Sequence, residues 1–202
     1  MRQFTASDTA LLIIDMMNLF DFEGGAALAK SALACSPVIR RLRDRFDDAG
    51  APVIYVNDNF SNWQGDFHEL ISACQTAPAP SSTIARALAP RDGHYHVLKP
   101  KHSAFLSTPL AILLAQLGAR KLVLSGIAAD SCILATATDA NMRELDVWVP
   151  ADGVAAITRD RKAKALALIK TSLGGDIRGT RAIRTLFPDI SLSPSGLLTP
   201  AL

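Results

Sequence analysis

Ala10-Leu11-Leu12-Ile13-Ile14 is an uninterrupted apolar run that stops at Asp15. Five apolar residues without a polar break are too few for a buried helix, and they match a strand covered on both faces. The run is therefore read as a central strand. Similar segments follow at Pro52-Val-Ile-Tyr-Val56, which leads into Asn57-Asp58-Asn59, and at Lys121-Leu-Val-Leu124. Shorter ones lie at His96–Leu98 and Val147–Val149.

The intervening segments have helical periodicity. After the Gly24-Gly25 break, Cys35, Ile39, Leu42 and Phe46 recur at helical spacing, and Gly50 supplies a stop. Residues 109–117 begin with Pro109 and are followed by Gly118, suited to a first turn and a C-terminal cap. Further helices are expected from about Ser131 to Glu144 and from about Arg159 to Leu173. Strands alternating with helices predict an α/β fold, a parallel sheet between helical layers with right-handed crossovers. Ligands of such sheets bind outside the carboxyl ends of the strands, where Asp15, Asp58, Lys99 and Gly126 fall.

The chain has 202 residues, 49% of them hydrophobic and 20% charged, enough for a globular domain with a substantial core and unlike a disordered or collagenous chain. Its 21 basic and 19 acidic residues are dispersed and give a net charge of only +2, which argues against a nucleic-acid partner. Cys35, Cys74 and Cys132 form neither a disulfide framework nor a CxxC zinc pair. No run approaches the ~20 apolar residues that cross a bilayer, so no membrane partner and a cytoplasmic location are expected. Residues 1–175 read as one domain. Residues 176–202, interrupted by Pro188, Pro194 and Pro200, read as an extension that packs on the domain or on a neighbouring subunit of a homo-oligomer.

Cys132 opens a predicted helix, where the positive end of the dipole favours thiolate; the competing reading is a small buried hydrophobe, which is also the reading of Cys35 and Cys74. Asp15 would reach the sheet edge close to the core, where desolvation suits a general base, unless it only caps a turn. Lys99 ends a strand in the same way and either stabilises negative charge or is solvated. His94 and His96 share a strand face but have no convincing set of metal ligands; His68 falls in a predicted helix, and His102, near Lys99, is a candidate to line a pocket. Arg178, Arg181 and Arg184 recur every third residue and read as a solvated helix face or an anion contact.

Leu12-Ile-Ile-Asp15-Met-Met-Asn18, Lys99-Pro-Lys-His-Ser103-Ala104-Phe105 and Leu124-Ser-Gly126-Ile127-Ala128-Ala-Asp-Ser-Cys132 together resemble the isochorismatase-like cysteine hydrolases, in the family's order. The resemblance implies a Rossmann-like three-layer α/β/α sandwich with a six-stranded parallel central sheet, commonly oligomeric. It also implies hydrolysis of a C–N bond in a small amide, carbamoyl or ureide substrate through a thioester, with Asp15, Lys99 and Cys132 as a triad. By the same resemblance the Ile127–Ala128 peptide is cis, and the Ala128 and Cys132 amides form an oxyanion hole. Asn18, Phe20, Asp58, Phe60, Trp63 and Phe105 are expected to shape the substrate pocket.

Two departures narrow these expectations. Nicotinamidases of the family carry a metal-binding Asp-x-His after the second strand, whereas Asp58-Asn59-Phe60 puts Phe at the His position, so neither a metal nor a cofactor is expected. Isochorismatases proper typically have Gly where Cys132 stands. The alternatives are an isochorismatase-type hydrolase of another bond and a non-catalytic oligomeric binding protein of the same fold.

Overall fold

The computed structural model describes residues 5–59, 64–183 and 186–187. Five parallel strands, β1 (Thr9–Ile14), β2 (Val53–Asp58), β3 (Tyr95–Lys99), β4 (Lys121–Gly126) and β5 (Asp146–Trp148), form one sheet in the order β3-β2-β1-β4-β5. Ile14 lies beside Val56 on one side and Gly126 on the other. The strand order reverses at β1, and that reversal opens a crevice between the carboxyl ends of β1 and β4.

Strand side chains alternate between two cores. Leu11, Ile13, Val53, Tyr55, Val123 and Trp148 join one core with α1 (Gly25–Asp48), α2 (Phe67–Thr76) and α3 (Ser81–Ala87). Ala10, Leu12, Ile14, Ile54, Val56, Leu122 and Leu124 join the other with α4 (Leu110–Gln116), α5 (Leu134–Met142) and α6 (Arg159–Ser172). Both faces of β1 are thus covered, which explains why its sequence lacks the polar alternation of a half-exposed strand.

Helix α1 begins ten residues before the periodic stretch at Cys35, because the alanine-rich segment from Gly25 continues the same buried face. Pro37 interrupts its hydrogen bonding without ending it. The Leu33 carbonyl, four residues earlier, accepts instead from the Ser36 hydroxyl at 3.0 Å.

The sheet has five strands among the described residues, whereas six were expected. At the open edge of β5, Asp176 makes a single parallel bridge to Trp148. Its carboxylate then accepts from the Arg178 N–H at 2.9 Å, a local turn that takes the chain out of register for further pairing. The expected arginine helix face is absent here: Arg178 pairs with Asp176, Arg181 lies in a short 3₁₀ turn, and Arg184 is outside the described residues.

Among the described residues beyond 175, Thr180, Ile183 and Phe187 contact the preceding part of the chain. Asp152 accepts from the Thr180 N–H at 2.8 Å, Arg45 donates to the Ile183 carbonyl at 3.0 Å, and Phe187 meets Phe46 edge-on at 4.9 Å. Phe187→Ala is expected to destabilise the fold by about 3–5 kcal/mol, the usual cost of removing a buried aromatic. Urea unfolding measures this, and a loss below about 1 kcal/mol would show that the contact only covers the core.

Candidate functional site

Strand ends bring the acidic and basic groups together. Asp15 follows β1 with φ 54°, a left-handed conformation in which Asp is several-fold enriched over most residues, and its N–H donates to the Val56 carbonyl at 2.8 Å. Its Oδ1 accepts from the Asp58 N–H at 2.7 Å, and its Oδ2 lies 2.9 Å from Lys99 Nζ. Lys99 is the last residue of β3, aligned with Asp58 on β2; its side chain is 0% exposed and lies 3.7 Å from the Asp58 carboxylate.

Cys132 arrives from the other side of the crevice. Its segment, Ala129–Ile133, is a π-helical turn between β4 and α5, with Ile133 N–H bonded to the Ala128 carbonyl. Single π turns are common at functional sites. Lys99 Nζ lies 3.5 Å from Cys132 Sγ, so the ammonium stands between the thiol and the Asp15 carboxylate it pairs with. The Ile127–Ala128 peptide bond is cis, and the Ala128 N–H meets no acceptor among the described residues.

Gly126 permits this close approach. Its φ is +113°, and a Cβ there would lie 2.1 Å from the Ile14 carbonyl oxygen. Any side chain at this position would push β4 away from β1 and separate Cys132 from Asp15.

The electrostatics correct one expectation. Burial and then the Asp15 charge push the Cys132 thiol from its ordinary 9.0 up to about 12, so it rests as a neutral thiol. Helix polarity does not prevail because the sulfur is buried beside a carboxylate. Burial also raises Asp15 against the opposing pull of Lys99, which makes it a better proton acceptor. Burial disfavours the Lys99 charge, but Asp15, the thiol and Asp58 outweigh it and raise the ammonium above its usual range.

This arrangement has a consequence for stability. Burial likewise raises Cys35 from 9.0 to about 12, so both thiols hold protons more tightly in the fold than in the unfolded chain. The stability this contributes is complete below pH 9 and is lost as pH rises towards 12, at about 1.4 kcal/mol per pH unit for each thiol. Unfolding free energies of the native chain are expected to fall more steeply above pH 9 than those of Cys132→Ala. Parallel curves would contradict the raised thiol.

The other expected site residues separate into groups. Asp58 stands at the cluster with its side chain 35% exposed. Asn18 instead accepts from the Phe20 N–H at 2.7 Å, Phe20 packs in the core with Met16 and Met17, and Phe105 lies buried under the Arg143 guanidinium at 4.6 Å. These contacts describe how Asn18, Phe20 and Phe105 are packed and hydrogen-bonded. Phe60 and Trp63 lie outside the described residues.

His94 and His96 do not form a metal pair among the described residues. His94 stacks on Tyr55 and meets Asp47 at 2.8 Å, while His96 stacks on Phe67. His102 is the less expected neighbour: its Nδ1 lies 3.8 Å from Cys132 Sγ and 3.1 Å from Ser131 Oγ. Its proximity to Lys99 in sequence was the only available signal.

A buried carboxylate, ammonium and thiol thus meet at the switch point of a parallel sheet, where ligands of such α/β folds bind. The chain belongs to the isochorismatase family: the profile of the Isochorismatase domain matches residues 9–181. It is 37% identical over 171 residues to YaaI of Bacillus subtilis (strain 168), an uncharacterized isochorismatase family protein, covering 85% of this chain and 93% of that protein. It is 32% identical to At3g16190 of Arabidopsis thaliana, named a probable inactive nicotinamidase, covering 75% of this chain and 82% of the relative. Identity to the ureidoacrylate amidohydrolase RutB of Methylorubrum extorquens is 28%, covering 74% of this chain and 70% of that protein. The crystal structure of N-carbamoylsarcosine amidase from Thermoplasma acidophilum superposes with a TM-score of 0.64 at 27% identity, covering 85% of this chain and 96% of that one. The family thus includes amidohydrolases. No described helix is long and apolar enough to cross a membrane.

Proposed function

We propose that the protein is a cysteine amidohydrolase that cleaves a C–N bond of a small amide, carbamoyl or ureide substrate through a thioester on Cys132. The observation that carries this reading is the convergence of Asp15, Lys99 and Cys132, with Lys99 Nζ 2.9 Å from the carboxylate and 3.5 Å from the sulfur. Kinship with amidohydrolases supports the bond type.

In the proposed reaction Cys132 Sγ attacks the carbonyl carbon as its proton passes to Asp15. A neutral resting thiol requires these events to be coupled, and Lys99 compensates the charge that moves between carboxylate and sulfur. The Ala128 and Cys132 N–H groups take the oxyanion. Collapse breaks the C–N bond, and Asp15 returns its proton to the departing nitrogen. Water then attacks the thioester and gives a proton to Asp15, and expulsion of Sγ releases the acid and restores the thiol. Asp58 is assigned to the pocket wall, while the expectation for Phe60 and Trp63 falls outside the described residues. No metal enters the proposed scheme, and Asp58-Asn59-Phe60 supplies no histidine at the nicotinamidase position. A homo-oligomer is proposed on the apolar tail, and light scattering of a chain ending at Phe187 tests the tail's part in it.

The test of the reaction is ammonia or amine release from a panel of primary amides, N-carbamoyl amino acids and ureides, run beside isochorismate. Release from members of the panel is expected. Cleavage of isochorismate alone would favour the other-bond hydrolase, and inactivity throughout would favour a binding protein.

A further inference from the structure

Asp15 begins a loop whose backbone is strained at both ends. Asp15 has φ 54° and Phe20 has φ 59°, both in the left-handed region, where a bulky side chain such as Phe is a genuine outlier. Such residues persist only where the surrounding structure over-determines them. Three side-chain bonds hold the stretch between the two. Asn57 Nδ2 donates to the Met17 carbonyl at 2.7 Å, Ser81 Oγ donates to the Asn18 carbonyl at 2.6 Å, and Asn18 Oδ1 accepts from the Phe20 N–H at 2.7 Å. At the far end the Phe20 carbonyl oxygen fills the space of a side chain on Gly25, where a Cβ would lie 2.1 Å from it.

We propose that Asn57 and Ser81 are positioning residues for Asp15, which fix its carboxylate by clamping two successive carbonyls of its loop. This inference rests on the reading of Asp15 as the group that receives the Cys132 proton. Asn57 is 0% exposed on β2, one residue before Asp58, whose N–H donates to Asp15 Oδ1. The end of β2 therefore holds Asp15 twice, through the Asp58 N–H at the carboxylate and through the Asn57 amide at the loop two residues on. Only the amide nitrogen can face Met17, because the amide oxygen would oppose another acceptor, and Asn57 Oδ1 has no partner among the described residues. An apolar residue of the same size would avoid that orphaned oxygen, so packing gives no reason for an amide here and the loop contact does. Ser81, the first residue of α3, supplies the partner of the next carbonyl.

p-Nitrophenyl acetate, an activated acyl donor, gives kcat and KM when its turnover is taken above that of Cys132→Ala. Per folded molecule, with the folded fraction set by urea unfolding, Asn57→Leu is expected to lower kcat about 100-fold and Ser81→Ala about 10-fold, with KM little changed, since a displacement of about 1 Å at a reacting group costs on that order. A role in stability alone would move the unfolding midpoint and leave kcat per folded molecule native. Hydrogen exchange reads the clamp without substrate: the Asp58 amide should exchange about tenfold faster in both variants while the amides of α6 keep their native rates. If Asn57→Leu does not fold, Ser81→Ala decides. Native kcat per folded molecule, or an unchanged Asp58 amide, would overturn the clamp. Failure of the underlying reading would look different: Asp15→Asn would keep native turnover, or the native chain would be no faster than Cys132→Ala, while the Asp58 amide still responded to the loss of Asn57 or Ser81.

Discussion

Cys132→Ala is expected to lower amide turnover by about 10⁴- to 10⁶-fold, the range seen when a covalent nucleophile is removed from a hydrolase that acts through a cluster of groups. Stability should fall by only about 1 kcal/mol, since the CH2SH side chain is cut back to a methyl group in a site that stays otherwise packed. Circular dichroism and urea unfolding separate this outcome from misfolding. Cys132→Ser is a stricter comparison because it retains a hydrogen-bonding atom beside Lys99 and Asp15, yet a hydroxyl is a weaker nucleophile and should remain severely impaired. Turnover within tenfold of the native rate in Cys132→Ala would indicate chemistry that does not pass through sulfur.

Lys99→Met should have the second largest effect, and on stability as well as activity. Lys99 is fully buried and contacts both Asp15 and Asp58, so its loss leaves a buried carboxylate without a counter-charge. Breaking one partner of a buried pair typically costs about 3–5 kcal/mol. Without Lys99, the pKa of Asp15 should rise further, and protonation would remove the group proposed to receive the thiol proton. The double variant Asp15→Asn/Lys99→Met should recover much of the stability, because neither remaining side chain is charged, but none of the activity. A single-variant cost below about 1 kcal/mol would show that the pair is already relaxed by water or by other partners.

The sheet was legible for a physical reason: β1, β2 and β4 are buried on both faces, so their sequences are continuous apolar runs. Strand ends were equally informative, since Asp15, Lys99 and Cys132 each follow an apolar run or its turn and a parallel sheet collects such ends at one edge. The open edge was harder to read, because Asp176 ends the pairing after one bridge through a turn with Arg178. Side-chain roles away from strand ends were least legible. Phe20 and Phe105 carry the same composition signal whether they line a pocket or fill a core, and only packing separates the two. The thiol's protonation depended on burial depth, which helix position does not reveal. The contact of His102 with Ser131 joins a loop after β3 to the turn after β4 and has no local sequence pattern.

The proposed cysteine catalysis is tested most directly by acid-quenching the protein during turnover of an active amide and mapping the peptides by mass spectrometry. A thioester carrying the substrate's acyl group is expected on Cys132, absent from Cys35 and Cys74, released by hydroxylamine, and missing in Cys132→Ala. Rapid hydrolysis by the Cys132→Ala protein, with no acyl group on Cys132 of the native chain under the same quench, would contradict it.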